Sequence, residues 1–298
     1  MANEFHTLLD ATIQHLEGLK ARGARHVAVT PATLQALRKP LAKTQAPAAG
    51  PAPAAPVKAP GRVQAGTPAA RTLPSSSLPL SSKTPLQGAE KEKAMRALAA
   101  RVTGCTKCPR LPESRTQTVF GVGTVHARLM FVGEAPGADE DAQGEPFVGR
   151  AGQLLTKIIE TMGLQRGEVY IGNILKCRPD TPGQSSGNRK PTPVEMATCL
   201  GYLEEQIGII QPQVMVALGA TAVQGLLGQQ VAGRTMGSLR GDWLEWRGIP
   251  LMVTYHPAYL LRNQSLTEKR KVWEDMLKVM AKLELPISAK QRGFFLKK

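Results

Sequence analysis

Four short apolar runs, at residues 129–132, 169–175, 214–218 and 250–254, alternate with stretches of helical periodicity, and this alternation constrains the chain more than any other feature. Continuous apolar runs of this length fit strands buried on both faces. Between them, Leu154, Leu155, Ile158, Ile159 and Met162 share one face of a helix that Gly163 stops, and further helices are expected over 194–210, 220–227 and 272–283. Ahead of them, EKEKAMRALAARV is rich in helix formers and leads into Cys105. The expected fold is α/β: a three-layer sandwich with a mostly parallel four-stranded sheet. Parallel strands end along one edge, where open α/β sheets bind ligands. Glu134 follows the first run, Asn173 lies near the end of the second, Gly219-Ala220-Thr221 follow the third and His256 follows the fourth.

The rest of the chain is of a different kind. Residues 4–20 place Phe5, Leu8, Leu9, Ile13, Leu16 and Leu19 at helical spacing, and a second short helix is expected from Thr30-Pro31 through Leu34 and Leu37. Between Lys39 and Gly88 the sequence is mostly Ala, Pro, Ser, Thr, Gln and Gly, too poor in apolar bulk to offset chain entropy, and reads as a disordered linker. The expected organisation is a helical segment at 1–38, the linker at 39–88, the main domain at 89–285 and a basic tail at 286–298. Formal net charge is +15. Residues 1–100 carry 13 Lys/Arg against 5 Asp/Glu and residues 101–298 carry 25 against 18, so both portions suit a polyanion without proving one. No run of 18 apolar residues occurs, and MANEFHTLLDATIQHLEGLK lacks the basic start and apolar core of a secretory peptide. The expected setting is the cytoplasm, with no membrane association.

The stretch GEAPGADEDAQGEPFVGRAGQLL, residues 133–155, combines glycines, five carboxylates and one Phe. Carboxylates would repel a phosphate, and no Lys-Ser/Thr follows the glycines as a nucleotide-hydrolase loop requires. FGVGTVH has only a G-x-G, precedes an apolar run and reads as a turn. Phe147 is either a core residue or a stacking platform, notable where aromatics are 4% of the chain. Asn173 is unusual in a strand; facing a site, it offers a donor and an acceptor that can read one edge of a base. His256, in TYHPAYLLRNQ, sits at a strand end ahead of a proline, whereas His6, His15, His26 and His126 have no comparable setting. Four cysteines, Cys105, Cys108, Cys177 and Cys199, begin with a C-x-x-C pair, and Cys108-Pro109 and Cys177-Arg178-Pro179 place two of them in turns. In a reducing compartment they suggest zinc or an iron–sulfur cluster, between which spacing does not choose.

Together, GEAPGADEDAQGEPFVGRAGQLL, YIGNILKCRP, NRKPTPVEMATC and HPAYLLR resemble the family 4 uracil-DNA glycosylases, the iron–sulfur branch of that superfamily, over residues 91–283 and in matching order. The resemblance implies a glycosylase that flips uracil out of DNA and hydrolyses its N-glycosidic bond, leaving an abasic site. It implies that Cys105, Cys108, Cys177 and Cys199 hold a structural [4Fe–4S] cluster; TPGQSSG, between the last two, departs from the family pattern as an insertion. It further implies that Phe147 stacks on the flipped base, Asn173 reads the O4/N3 edge, His256 stabilises charge at O2 and Glu140 excludes the methyl group of thymine. Gly133, Ala135 and Asn188 match positions around the base, and Glu134 is the expected water-positioning carboxylate, with Asp139 and Asp141 as alternatives. Leu260, Leu261 and Arg262 match the loop that wedges into DNA. The basic, histidine-containing loop of a covalently trapping branch is absent, so ordinary turnover is expected.

Two other readings are a non-catalytic iron–sulfur nucleic-acid-binding subunit of a replication or repair assembly, and a zinc-stabilised nucleotide hydrolase. The expected partner is uracil-containing DNA, met by a monomer in the cytoplasm with nucleoid association. The C-terminal KQRGFFLKK reads first as a frayed basic tail; Gln291 with Phe294-Phe295 loosely resembles peptides that bind replicative sliding clamps.

Overall fold

The computed structural model of the chain describes Leu86, residues 88–179 and residues 188–296. The expected N-terminal helices, all but two residues of the linker, and TPGQSSG lie outside the described residues. In chain order the helices are α1 (Ala89–Thr103), α2 (Leu111–Ser114), α3 (Ala138–Gln143), α4 (Arg150–Thr161), α5 (Pro193–Ile210), α6 (Ala220–Leu227), α7 (Met236–Leu239), α8 (Pro257–Arg262), α9 (Leu266–Lys282) and α10 (Ala289–Gly293). The strands are β1 (Val122–Gly123), β2 (Leu129–Gly133), β3 (Tyr170–Asn173), β4 (Val214–Leu218), β5 (Trp243–Trp246) and β6 (Ile249–Thr254).

The strand order is β1-β3-β2-β4-β6-β5. The four expected strands form its parallel centre, β3-β2-β4-β6. Successive side chains on a strand point to opposite faces, so each apolar run supplies two cores. Met130, Val132, Met215, Ala217, Leu251 and Val253 pack with α1, α5 and α6 on one side. Leu129, Phe131, Val214, Val216, Leu218 and Met252 pack with α4 and α9 on the other. The result is the three-layer sandwich that the alternation of runs requires.

Two antiparallel edge strands extend the expected four. Val122 and Gly123, read from sequence as part of a turn, pair with Ile171 and Tyr170. Trp243–Trp246 pairs with Ile249–Met252; its alternating exposed positions carry little of the apolar signal that marks a buried strand. Helix starts follow local chemistry. Thr192 caps α5 reciprocally with Glu195, Pro193 takes the first turn, and Arg189 donates to both Glu195 oxygens at 2.8 and 2.5 Å. Among the described residues, no helix is long and apolar enough to cross a membrane.

The expected basic tail is instead partly folded onto the body. Gln291 donates from Nε2 to the Thr161 carbonyl at 2.7 Å, and its own carbonyl accepts from Trp273 Nε1 at 2.6 Å. Arg270 donates to the carbonyls of Arg292 and Phe294, each at 2.8 Å. The Phe294 ring meets Trp273 edge-on, centroids 5.6 Å apart. Gln291 and Phe294, two of the three residues in the clamp-peptide resemblance, are therefore engaged within the chain, while Phe295 and Leu296 are 40% and 56% exposed. Deleting residues 289–298 should lower stability by about 2–3 kcal/mol, given a lost aromatic pair and several hydrogen bonds. Denaturant unfolding of full-length and shortened chains checks this; an unchanged midpoint would show that the docking does not hold in solution.

Candidate functional site

The site begins at a close approach between two strands. β2 and β3 pair in parallel so that Gly133 lies opposite Asn173. The pairing runs on past the strand ends, with Ile174 N–H donating to the Gly133 carbonyl at 3.0 Å and Leu175 N–H to that of Glu134 at 3.1 Å. A methyl group on Gly133 would lie 2.4 Å from Asn173 Oδ1 and 2.6 Å from the Phe147 ring. Only glycine allows these three groups to share the space. Asn173 is 2% exposed, and its Oδ1 has no hydrogen-bond partner among the described residues. A buried acceptor without a donor costs about 1–3 kcal/mol, so this oxygen is held ready for something that brings one.

Phe147 arrives from the loop after α3. Its φ of 55° is left-handed, a conformation that non-glycine residues seldom adopt and that clusters at functional sites. Glu140 holds the loop in place. One of its oxygens accepts from the backbone N–H of Val148 and Gly149, each at 3.0 Å, and the other from Gly137 at 2.9 Å. Three amides on one carboxylate pin both ends of the turn that presents Phe147. Gly152 completes the fit, since a Cβ there would overlap the Phe147 carbonyl.

His256 faces Phe147 in a stacked arrangement, centroids 5.5 Å apart and planes at 28°. It caps α8, with Pro257 in the first turn, and its Nδ1 accepts from Ala258 N–H at 3.1 Å. The remaining proton of the neutral ring therefore sits on Nε2, the nitrogen left for a ligand. Burial, helped by the Arg262 charge and opposed by Glu140, lowers its pKa to about 4.

These groups line one cavity of about 190 Å3, with Ala135, Gly137, Glu140, Phe147, Ala151, Asn173, Asn188, His256 and Ala258 around it. Its size is on the scale of a single-ring base and below that of drug-sized ligands. A larger hollow of about 440 Å3 lies along α5 and α6, but among the described residues Arg234 is its one charged lining residue and no convergent polar groups face it. Chemistry, not size, marks the smaller cavity as the site.

Of the residues expected from sequence, Ala135, Glu140, Phe147, Asn173, Asn188 and His256 line the cavity, and Gly133 lies directly against Asn173 and Phe147. Asn188 accepts from Arg178 Nε at 2.8 Å. Glu134 follows β2 beside Ala135, half-buried and without a hydrogen bond or ion pair from its carboxylate among the described residues. The two alternative carboxylates are placed differently. Asp141 is buried and accepts from Thr116 N–H at 2.9 Å, while Asp139 is exposed beside Gly149. Leu260, Leu261 and Arg262 belong to a short helix, not a loop, because His256 and Pro257 start one there. Leu260 is 5% exposed and turned into the fold, leaving Leu261 half-buried and Arg262 exposed.

The four cysteines meet on the other side of β3. Cys105, Cys108, Cys177 and Cys199 line a single hollow with Val102, Leu111, Leu175 and Tyr202, and none is in a disulfide. Arg115 donates to Cys177 Sγ at 2.9 Å and to the Cys105 carbonyl at 2.8 Å; Lys176 N–H donates to Cys199 Sγ at 3.2 Å. Burial pushes the thiols of Cys108 and Cys177 up, and that of Cys199 to about 11. A bound cationic group would reverse that direction. Among the described residues no group of three or more His, Cys, Asp or Glu is placed to hold a metal ion. All four thiols border that one hollow, with N–H donors on two of the sulfurs, and a set of four thiolates suits the chemistry of zinc or of an iron–sulfur group. Sequence reasoning missed Lys176, which is 1% exposed beside this site, because lysine is almost never fully buried.

The profile of the uracil DNA glycosylase superfamily matches residues 120–277. A type-4 uracil-DNA glycosylase of Thermotoga maritima is 45% identical over 189 residues, 63% of this chain and 94% of that protein. One of Archaeoglobus fulgidus is 42% identical over 173 residues, covering 56% and 83%. A type-5 enzyme of Pyrobaculum aerophilum is 28% identical over 194 residues, 55% of this chain and 82% of that protein.

The buried imidazole gives a test that needs no ligand. Ring NMR should show His256 titrating near 4, well below the usual 6.5. The unfolded chain takes up this proton more readily, so the stability contribution is present above about pH 6.5 and is lost as pH falls toward 4. A His256 midpoint near 6.5 would contradict the burial that defines the cavity.

Proposed function

Since the chain belongs to the uracil DNA glycosylase superfamily, we propose that it is a DNA-repair glycosylase that releases uracil from DNA by hydrolysing the N-glycosidic bond. The observation that carries the reading is the unpartnered, buried Oδ1 of Asn173 in a cavity that also presents an aromatic face and a neutral imidazole. Uracil offers a donor at N3 and an acceptor at O4, the complement of one amide side chain. Cytosine reverses both, so an amide fixed in this orientation rejects it.

The steps then fall to named groups. The target nucleotide leaves the stack at a cost of a few kcal/mol, and Phe147 takes its base by stacking. Leu261 and Arg262 are the members of the wedge set whose exposure lets them meet DNA; Leu260 supports them from within. As the bond breaks, negative charge grows on uracil O2, where the Nε2–H of His256 is a preorganised donor. Positive charge grows on the sugar, and the unpaired carboxylate of Glu134 suits both that charge and the orientation of water. Glu140, besides lining the base pocket where it would exclude a thymine methyl, fixes Phe147 through the loop. Gly133, Ala135 and Asn188 complete the walls.

Cys105, Cys108, Cys177 and Cys199 would hold a [4Fe–4S] cluster, which supplies structural bracing when bound. The resemblance to the iron–sulfur branch of the family, with all four cysteines lining one hollow, supports iron–sulfur over a lone zinc ion. The same reading takes the protein as a cytoplasmic, nucleoid-associated monomer with a catalytic unit extended from 89–285 to include α10, preceded by the segments at 1–38 and 39–88. A sliding clamp remains a second partner in it, reached once Gln291 and Phe294 leave Thr161 and Trp273.

Purified, cluster-loaded protein should release free uracil from single- or double-stranded oligonucleotides and leave abasic sites. His256→Ala should lose roughly 10²–10³-fold in kcat, the usual cost of removing one such donor. Binding without release would contradict the proposal and favour the non-catalytic subunit. Visible absorption bleached by dithionite should accompany the protein; a colourless, zinc-containing preparation would contradict the cluster assignment.

A further inference from the structure

A lysine with almost no exposed surface joins the cysteine site to the base pocket. Lys176 directly precedes Cys177, and its main-chain N–H donates to Cys199 Sγ at 3.2 Å. Its side chain turns the other way. Nζ donates to the main-chain carbonyl of Asn173 at 3.0 Å and to Gln206 Oε1 at 2.6 Å. Gln206 is in turn fixed, since its Nε2 donates to the Phe120 carbonyl at 3.0 Å and to the Tyr170 hydroxyl at 2.8 Å. That leaves Oε1 as the acceptor facing the lysine, and it anchors Nζ from the α5 side.

This arrangement is costly as mere filling. An ammonium buried between two neutral acceptors, without a carboxylate, gives up more hydration than Met or Leu of similar volume would. Its contacts fall where β3 ends, on the residue that carries the unpartnered Oδ1. The strand pairing fixes Asn173 from the β2 side at Gly133, but its own carbonyl points to Lys176.

We propose that Lys176 is a positioning residue for base recognition: it clamps the Asn173 backbone from beneath and ties it to the Cys199 end of the cysteine site, so that an assembled cysteine site is transmitted to the base reader. Lys176 touches no base. It acts through Asn173, with Gln206 as its anchor, and this rests on the proposed uracil reading of the pocket.

The test compares affinity for two duplexes, one with a non-hydrolysable 2′-fluoro-deoxyuridine and one with a tetrahydrofuran abasic analogue, for the full-length loaded protein and for Lys176→Met. Visible absorbance per chain reports loading of the cysteine site. Wild type should prefer the uracil analogue. In Lys176→Met that preference should fall by about 10-fold, with abasic affinity held within about twofold. A merely structural lysine would weaken both duplexes together. Lys176→Gln, which keeps an N–H donor and loses the charge, should retain more of the preference than Lys176→Met, and it carries the comparison if the methionine variant does not fold. An undiminished preference in whichever variant folds, or the failure of both to fold, would overturn the proposal. Loss of preference in wild type itself would overturn the uracil reading instead.

Discussion

The pocket depends on one close approach, the pairing of Gly133 with Asn173 across β2 and β3. Parallel pairing places both residues at the same edge of the sheet, and the absent side chain of Gly133 lets the Asn173 amide and the Phe147 ring occupy a space that a methyl group would fill. The other parts are arranged about that point. Glu140 draws three backbone amides together so that Phe147 keeps its left-handed backbone. β6 ends in the cap of α8, which brings His256 opposite Phe147. The sheet supplies position, and the loops supply the groups.

Polar groups buried near this edge divide into two kinds. Lys176, Gln206 and Tyr170 satisfy one another, and Asp275 accepts from Thr254 Oγ1 at 2.7 Å and from Arg240. Such closed networks are rigid because each lost bond would strand a partner in low dielectric. Asn173 Oδ1 is open by contrast. Thr254 lies two residues before His256, so a closed network stands behind each of the two main polar groups of the cavity. Rigid backing behind an open acceptor is what a base-reading site requires, because discrimination between uracil and cytosine rests on an amide that does not rotate.

Much of this was legible in the chain, for physical reasons. Four apolar runs of strand length, each followed by a helical pattern, leave few alternatives to a parallel sheet, and the residues after each run fall at its carboxyl edge. That logic places Glu134, Asn173 and His256 at the carboxyl ends of their strands, where the structure has them. What it missed had weak or misleading signals. β1 is two residues long, and β5 exposes alternate side chains at an edge. Leu260-Leu261-Arg262 matched a loop by resemblance, while the capping by His256 and the proline after it make that segment helical. Residues 289–296 looked basic and frayed because the contacts that fold them come from Thr161, Arg270 and Trp273, far away in sequence. Lys176 had no signal, since nothing local marks a lysine for burial.

In the proposed function, base selection rests on a fixed Asn173 amide. Asn173→Asp tests it most directly, because a protonated carboxyl offers cytosine the complement that the amide offers uracil. Release of free bases from matched uracil- and cytosine-containing oligonucleotides should show cytosine release in the variant and none in the parent, with uracil release reduced. An unchanged base preference in a folded, cluster-loaded variant would contradict the account.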